Sequence, residues 1–186
     1  MFIRLEVQRG VKASFVALVP LLVLAGWQNQ HKLNPDGIAY LRIAGYYANA
    51  QTDLMVSGYW GPLLSWLMVP FLKLGWDPLA AARIAMGVSA IVFWFGCVTV
   101  FRSFRIPPVA IAPGAWLAAL ASVYWSARNI SPDLLVGGLM AMAIGVMLDS
   151  QWQESRRTAV LAGLLWGLAS WPRPSRCRWR SSSARD

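Results

Sequence analysis

Cysteine and histidine are the scarcest functional residues of this chain. Two Cys, at positions 97 and 177, and one His, at position 31, occur among 186 residues. Two isolated Cys form neither a disulfide framework nor a metal-ligand spacing. His31 lies in a polar segment and is predicted to be a solvated loop residue. These absences argue against a disulfide-stabilised scaffold and against a histidine-based metal centre.

Charged residues are also scarce. They make up 13% of the chain, whereas 57% of residues are hydrophobic and the mean hydropathy is +0.47. Such a composition is atypical of a soluble domain and indicates several membrane-spanning helices. The 11 Trp and five Tyr suit the two membrane interfaces. The bilayer is therefore the first predicted partner.

The net charge of +9 is distributed in a way that argues against a nucleic-acid partner. Residues 1–170 carry 12 Lys and Arg against 7 Asp and Glu, and the last 16 residues add five Arg. The basic residues of the body stand in short segments beside apolar runs. That placement is a signal of membrane topology.

The apolar runs predict an all-α, polytopic membrane helix bundle. Runs of spanning character cover residues 13–27, 79–101, 107–126 and 134–148, and a partial fifth covers 159–169. The run 63–75 would be about 20 Å long as a helix, too short for a bilayer core of about 30 Å. It is interpreted as an interfacial or re-entrant helix. We expect about four spans plus a partial fifth, with two external juxtamembrane helices.

The fourth run also contains small residues at helical spacing, which predicts close helix packing. They are Gly137, Gly138, Ala141 and Gly145.

Basic residues set the expected orientation. With 63–75 outside the bilayer, seven of them fall on the cytoplasmic side: Arg4, Arg9, Lys12, Arg102, Arg105, Arg156 and Arg157. The positive-inside rule then places the N-terminus in the cytoplasm. The first run lacks a cleavage signal after it and is interpreted as an uncleaved anchor in the cytoplasmic (inner) membrane.

Two acids are predicted to face the outside, each at the start of a helix. Asp36 follows Pro35, and Asp133 follows Pro132. Their simplest interpretation is a helix-start acid favoured by the helix dipole. Two carboxylates at one face of a bundle could also hold a divalent cation or act as a base. The spacing leaves these alternatives open.

Cations and aromatic residues accompany these acids on the same face. Arg83 and Arg128 could contact a phosphate, although snorkelling to the interface is the simpler interpretation. Tyr40 and Trp60 belong to a group that is most simply an aromatic belt, with a sugar or lipid platform as the alternative. The group is Tyr40, Tyr46, Tyr47, Tyr59 and Trp60.

Four short motifs occur in an order that resembles a known family. They are Pro35-Asp36-Gly37-x-x-Tyr40, Gly61-Pro62-Leu63-Leu64, Leu74-Gly75-x-x-Pro78-x-x-Ala81-Ala82-Arg83 and Ser131-Pro132-Asp133-Leu134-Leu135. Over residues 10–170 the chain is similar to the N-terminal part of GT-C membrane glycosyltransferases. The likeness is to the protein O-mannosyltransferase and aminoarabinose-transferase superfamily, which uses polyprenyl-phosphate sugars.

The resemblance implies a role for each acid. Asp36 would be the base, or the organiser of the acceptor, for attack on the anomeric carbon, and the polyprenyl phosphate would leave. Asp133 would shape the same cavity. Many relatives carry a second acid directly after the first, whereas this chain has Gly37. The resemblance gives neither the sugar nor the acceptor.

Residues 171–186 depart from the pattern of the body. Three Pro or polar breaks and four Arg interrupt a helix that has just begun, which would be costly in a bilayer. A single-base deletion in an apolar reading frame can generate residues 170–181, so we hypothesise a frameshifted, truncated and inactive glycosyltransferase fragment. A genuine basic tail is the alternative. At the level of function, the alternative is a small non-enzymatic membrane protein, such as an assembly partner or a transporter subunit.

Overall fold

A computed structural model describes residues 2–55, 57, 59–148 and 156–170, and within these ranges the chain is helical and contains no strand. The all-α prediction is confirmed, and the tail hypothesis lies outside the described residues. The helices are α1 Phe2–Gln28, α2 Pro35–Ala48, α3 Leu63–Lys73, α4 Pro78–Ser103, α5 Pro108–Arg128, α6 Asp133–Met147 and α7 Arg156–Ala169, and a short 3-10 turn covers Thr52–Leu54.

Three of these helices are long and apolar enough to cross a membrane: α1, α4 and α5. This finding indicates a membrane-embedded protein. The run predicted as a fourth span forms α6, whose 15 residues extend only about 22 Å. The run 63–75 forms the 11-residue helix α3, which agrees with its predicted short length.

Proline and capping residues fix where the helices begin. Pro35, Pro78 and Pro108 stand at the first positions of α2, α4 and α5, where a missing N–H costs nothing. Asp77 caps α4, because its carboxylate accepts hydrogen bonds from the amides of Leu79 and Ala80 at 2.9 and 3.0 Å. Asp77 and Pro78 together determine where α4 begins.

The bundle is held by two main pairs of helices, α1 with α5 and α4 with α6, and α4 also packs on α5. A buried polar contact joins α1, α4 and α5. The Trp94 indole N–H lies 3.2 Å from the Ser14 hydroxyl and 3.1 Å from the Ala115 carbonyl. Since a buried donor without a partner is costly, this contact specifies how the three helices meet.

Small residues bring α4 and α6 into backbone contact. A Cβ added at Gly96 would lie 2.4 Å from the Gly138 carbonyl oxygen, and one at Gly138 would lie 2.7 Å from the Phe93 nitrogen. Further along, the Ser103 hydroxyl donates to the Gly145 carbonyl at 2.9 Å. The close packing predicted from the small residues of the fourth run is confirmed along this seam.

Helices α2 and α3 cover the end of the bundle at which α4 begins. Tyr40, Ala44, Leu64 and Met68 are buried together against the first turns of α4. The Ser65 hydroxyl, itself fully buried, donates to the Tyr40 carbonyl at 2.9 Å. This packing gives the start of α2 a fixed position on the bundle.

Candidate functional site

A cavity of about 510 Å³ opens at the end of the bundle where α4 begins. It lies between the start of α2, the segment 59–62, the first half of α6 and the last residues of α7. Four of the residues proposed from the sequence line it: Asp36, Tyr40, Trp60 and Asp133. The others are Tyr59, Gly61, Pro62, Leu63, Ser131, Pro132, Val136, Gly137, Met140, Leu168 and Ala169.

Both carboxylates stand in the first turn of a helix and are exposed to the cavity. Asp133 is oriented by its neighbours, because the Ser131 hydroxyl donates to its Oδ2 at 3.0 Å. The Ser131 hydroxyl in turn accepts a hydrogen bond from the Trp125 indole at 3.2 Å. The cavity thus presents two carboxylates from separate helices.

Asn34 connects the segments that carry these acids. Its side-chain oxygen accepts from the Ile130 amide at 2.8 Å, and its side-chain nitrogen donates to the Ile130 carbonyl at 3.3 Å. Ile130 is fully buried, so its backbone groups depend on such partners. Since Asn34 precedes Asp36 by two residues and Ile130 precedes Asp133 by three, this double hydrogen bond holds the two acids at one cavity.

Gly37 occupies the position at which many members of the resembled family carry a second acid, and the structure leaves no space there for a side chain. A Cβ at Gly37 would lie 2.9 Å from the Asn34 side-chain oxygen, 2.9 Å from Leu33 and 3.0 Å from Ile130. The close contact between α2 and Ile130 therefore disfavours any side chain at position 37, including that of a second acid.

Replacing Gly37 with Ala is expected to lower the free energy of unfolding by about 1–2 kcal/mol, because the new methyl group displaces Asn34 and Ile130. The matched control is Gly45→Ala in the same helix, where no atom lies within 4 Å of the added Cβ. That variant should gain stability by about 0.5–1 kcal/mol from helix propensity alone. Denaturation of both in detergent, followed by circular dichroism, gives the comparison. Equal shifts in the two variants would contradict a tight site at Gly37.

Aromatic rings form one wall of the cavity. The Tyr40 ring is buried and meets the Trp60 ring edge-on, with centroids 5.3 Å apart, and Tyr59 packs on Trp60 at 4.7 Å. Edge-to-face contacts of this kind hold rings in a fixed orientation. Tyr59, which is largely exposed, was assigned from the sequence only to the aromatic belt. Its place in the wall follows from its contact with Trp60.

The two arginines proposed from the sequence do not line this cavity. The Arg83 guanidinium donates to the Ser126 carbonyl at 3.0 Å, to the Ala127 carbonyl at 3.3 Å and to the Lys32 carbonyl. Arg128 lies over the Tyr124 ring, 4.9 Å from its centroid. Arg83 thus links the last turn of α5 to the connection after α1, and Arg128 makes a cation–π contact at the surface. The structure therefore places neither guanidinium at this cavity, and a contact of either with a phosphate stays a prediction.

The predicted divalent cation has two candidate protein ligands. Within the described ranges no group of three or more His, Cys, Asp or Glu side chains is gathered in one place. Mg²⁺, however, is commonly held by one or two carboxylates together with water and substrate phosphates. Asp36 and Asp133 fit that donor set, so a cation shared with a phosphate-bearing ligand is compatible with the cavity.

Comparison with protein-family models, curated proteins and solved structures finds no match to this chain. The resemblance to GT-C glycosyltransferases therefore rests on the motifs quoted above and stays a prediction.

Proposed function

We propose that the cavity is the sugar-lipid site of a membrane glycosyltransferase, which transfers a sugar from a polyprenyl-phosphate donor to an acceptor of the cell envelope. One observation carries the proposal. Asp36 and Asp133, which belong to two separate motifs, line the same cavity, together with the aromatic residues Tyr40 and Trp60. The motif order alone did not require this meeting.

The proposed topology places this cavity on the periplasmic or external side. In it, α6 is a fourth, short span, α7 begins a fifth, and the N-terminus is cytoplasmic. Arg102 in the last turn of α4 and Arg105 just after it support a cytoplasmic location for that end. Asp36, Asp133 and the last residue of α7 then share the opposite end, as the lining of the cavity requires.

The proposed chemistry is a displacement at the anomeric carbon of the donor sugar. The acceptor hydroxyl forms the new bond to that carbon while Asp36 takes the hydroxyl proton, and the polyprenyl phosphate leaves with the electron pair of the broken C–O bond. Asp133, held by Ser131, orients the sugar or acceptor hydroxyls. If a divalent cation binds, Asp36 and Asp133 would hold it, and it would neutralise the charge of the leaving phosphate.

Donor binding is the step that tests this proposal. The purified chain in nanodiscs of phosphatidylcholine is titrated with undecaprenyl-phosphate mannose and with undecaprenyl-phosphate aminoarabinose, in the presence of Mg²⁺. We expect saturable binding of at least one donor. Asp36→Asn and Asp133→Asn should each weaken it about tenfold or more, because each removes a charged ligand of the donor or of its cation.

Asp53→Asn is the matched control, because Asp53 is an exposed acid in the same external region that does not line the cavity. It should bind the donor as the unmodified chain does. Failure of the unmodified chain to bind either donor, or an equal loss in all three variants, would contradict the proposal. The first result would favour a non-enzymatic membrane protein.

A further inference from the structure

Two further cavities lie at the other end of the bundle, where α1 begins and α4 ends. An apolar groove of about 380 Å³ runs between α1 and α4, and its walls include Phe15, Val16, Phe95 and Val98. Helices α1 and α4 make few direct contacts because α1 packs mainly on α5. Since both are helices of spanning length, the groove opens towards the acyl chains of the bilayer.

Two cations stand at the outer end of this groove. Lys12 and Arg102 both line it and both are exposed. A further cavity of about 400 Å³ adjoins at Arg102 and is lined by Val7, Gln8, Pro108 and Ile111. The site therefore has an apolar part between α1 and α4 and a polar, positively charged part at the end of the groove.

The charge of these cations is not balanced by the part of the chain that the structure describes. The ion pair found there joins Glu6 to Arg9. Lys12 and Arg102 have no carboxylate partner among the described residues. An apolar groove that ends in two cations without a carboxylate partner in the described ranges is complementary to a molecule with an apolar chain and an anionic head.

We propose that this groove binds an anionic glycerophospholipid of the leaflet that faces this end of the bundle. The phosphate lies between Lys12 and Arg102, the polar head reaches Gln8, and one acyl chain lies along Phe15, Val16 and Phe95. Basic pockets between spanning helices recognise anionic lipid heads in this way. The site shares no residue with the cavity of Asp36 and does not depend on the proposed function.

The test measures retained lipid by native mass spectrometry. The full chain is released from nanodiscs that contain equal amounts of phosphatidylglycerol and phosphatidylcholine with the same acyl chains. We expect the unmodified protein to retain at least about fivefold more phosphatidylglycerol than phosphatidylcholine. One Lys or Arg near the membrane surface strengthens the binding of an anionic lipid head by about fivefold. The double variant Lys12→Gln/Arg102→Gln should lose this preference.

The matched control is Arg105→Gln/Arg157→Gln. It removes the same charge from two exposed cations that line neither cavity, and it should keep the preference. Equal loss in both double variants would overturn the proposal in favour of diffuse attraction. Retention of the preference by the Lys12/Arg102 variant would also overturn it.

A groove-filling variant keeps the test decisive if the charge variant does not fold. Val16 is 69% exposed in the groove wall, so Val16→Trp should block the acyl chain while both cations remain. Retained phosphatidylglycerol should then fall severalfold, with an unchanged circular dichroism spectrum. Undiminished retention of phosphatidylglycerol by this variant would show that the acyl chain of the lipid does not lie in the groove.

Discussion

Replacing Arg83 with Met is expected to lower the free energy of unfolding by about 2–4 kcal/mol, because hydrogen bonds from a charged donor to three carbonyls are lost. These carbonyls belong to Lys32, Ser126 and Ala127, which lie in or beside the connections after α1 and α5. Part of the guanidinium is exposed, which keeps the expected value below the sum of three buried charged hydrogen bonds. The measurement is unfolding by dodecyl sulfate in mixed micelles, followed by Trp fluorescence.

Arg128→Met is the control for this prediction, since Arg128 is a cation of the same end whose described contact is with the Tyr124 ring. It should cost about 1 kcal/mol or less. Arg83→Lys should behave like Arg83→Met, because an ammonium group cannot reach three carbonyls in a planar arrangement. Similar stabilities for Arg83→Met and Arg128→Met would show that the Arg83 cross-link is unimportant.

Replacing Gly96 with Ala is expected to lower the free energy of unfolding by about 3 kcal/mol, because the two helix backbones must separate. The added Cβ would lie 2.4 Å from the Gly138 carbonyl oxygen and 3.0 Å from the Cβ of Ala141. Neither neighbour is a flexible side chain that could turn away. The loss is read from the same unfolding transition in dodecyl sulfate.

Gly87→Ala, in the same helix, separates helix propensity from packing. No atom lies within 4 Å of a Cβ added at Gly87, so this variant should be neutral or gain up to about 1 kcal/mol. A Gly96→Ala variant as stable as Gly87→Ala would contradict the backbone contact between α4 and α6.

The positions of the helices could be predicted from the sequence because long apolar runs and Pro residues determine them locally. The runs 63–75, 79–101 and 134–148 correspond to α3, α4 and α6 within a few residues. The beginning of α1 was missed, since its first turns are polar. The helix continues through them from Phe2, with an ion pair between Glu6 and Arg9 one turn apart.

The candidate site could be predicted only in part. Its acids follow a local sequence pattern, whereas the contacts that position them join residues far apart in the chain. Asp36 and Asp133 mark helix starts, and the predicted topology put both starts at one end, where the two acids line one cavity. The contacts of Arg83 and Asn34 could not be predicted. Their partners are backbone carbonyls and amides 43 to 96 residues away. Because nearly every residue type carries the same backbone groups, the sequence does not indicate which residue will be such a partner. Asn34 stands at the N-cap position of α2, but its side chain bonds to Ile130 and not to the first amides of the helix.

The alternating order of the two helix pairs has a consequence for biosynthesis. Helix α1 packs with α5, and α4 packs with α6. In chain order, α4 therefore comes between α1 and its partner α5, and α5 comes between α4 and its partner α6. A ribosome delivers α4 to the membrane before either α5 or α6 exists. The Gly96 face of α4 must therefore remain against lipid or against the insertion machinery until α6 emerges, and the bundle closes late in synthesis.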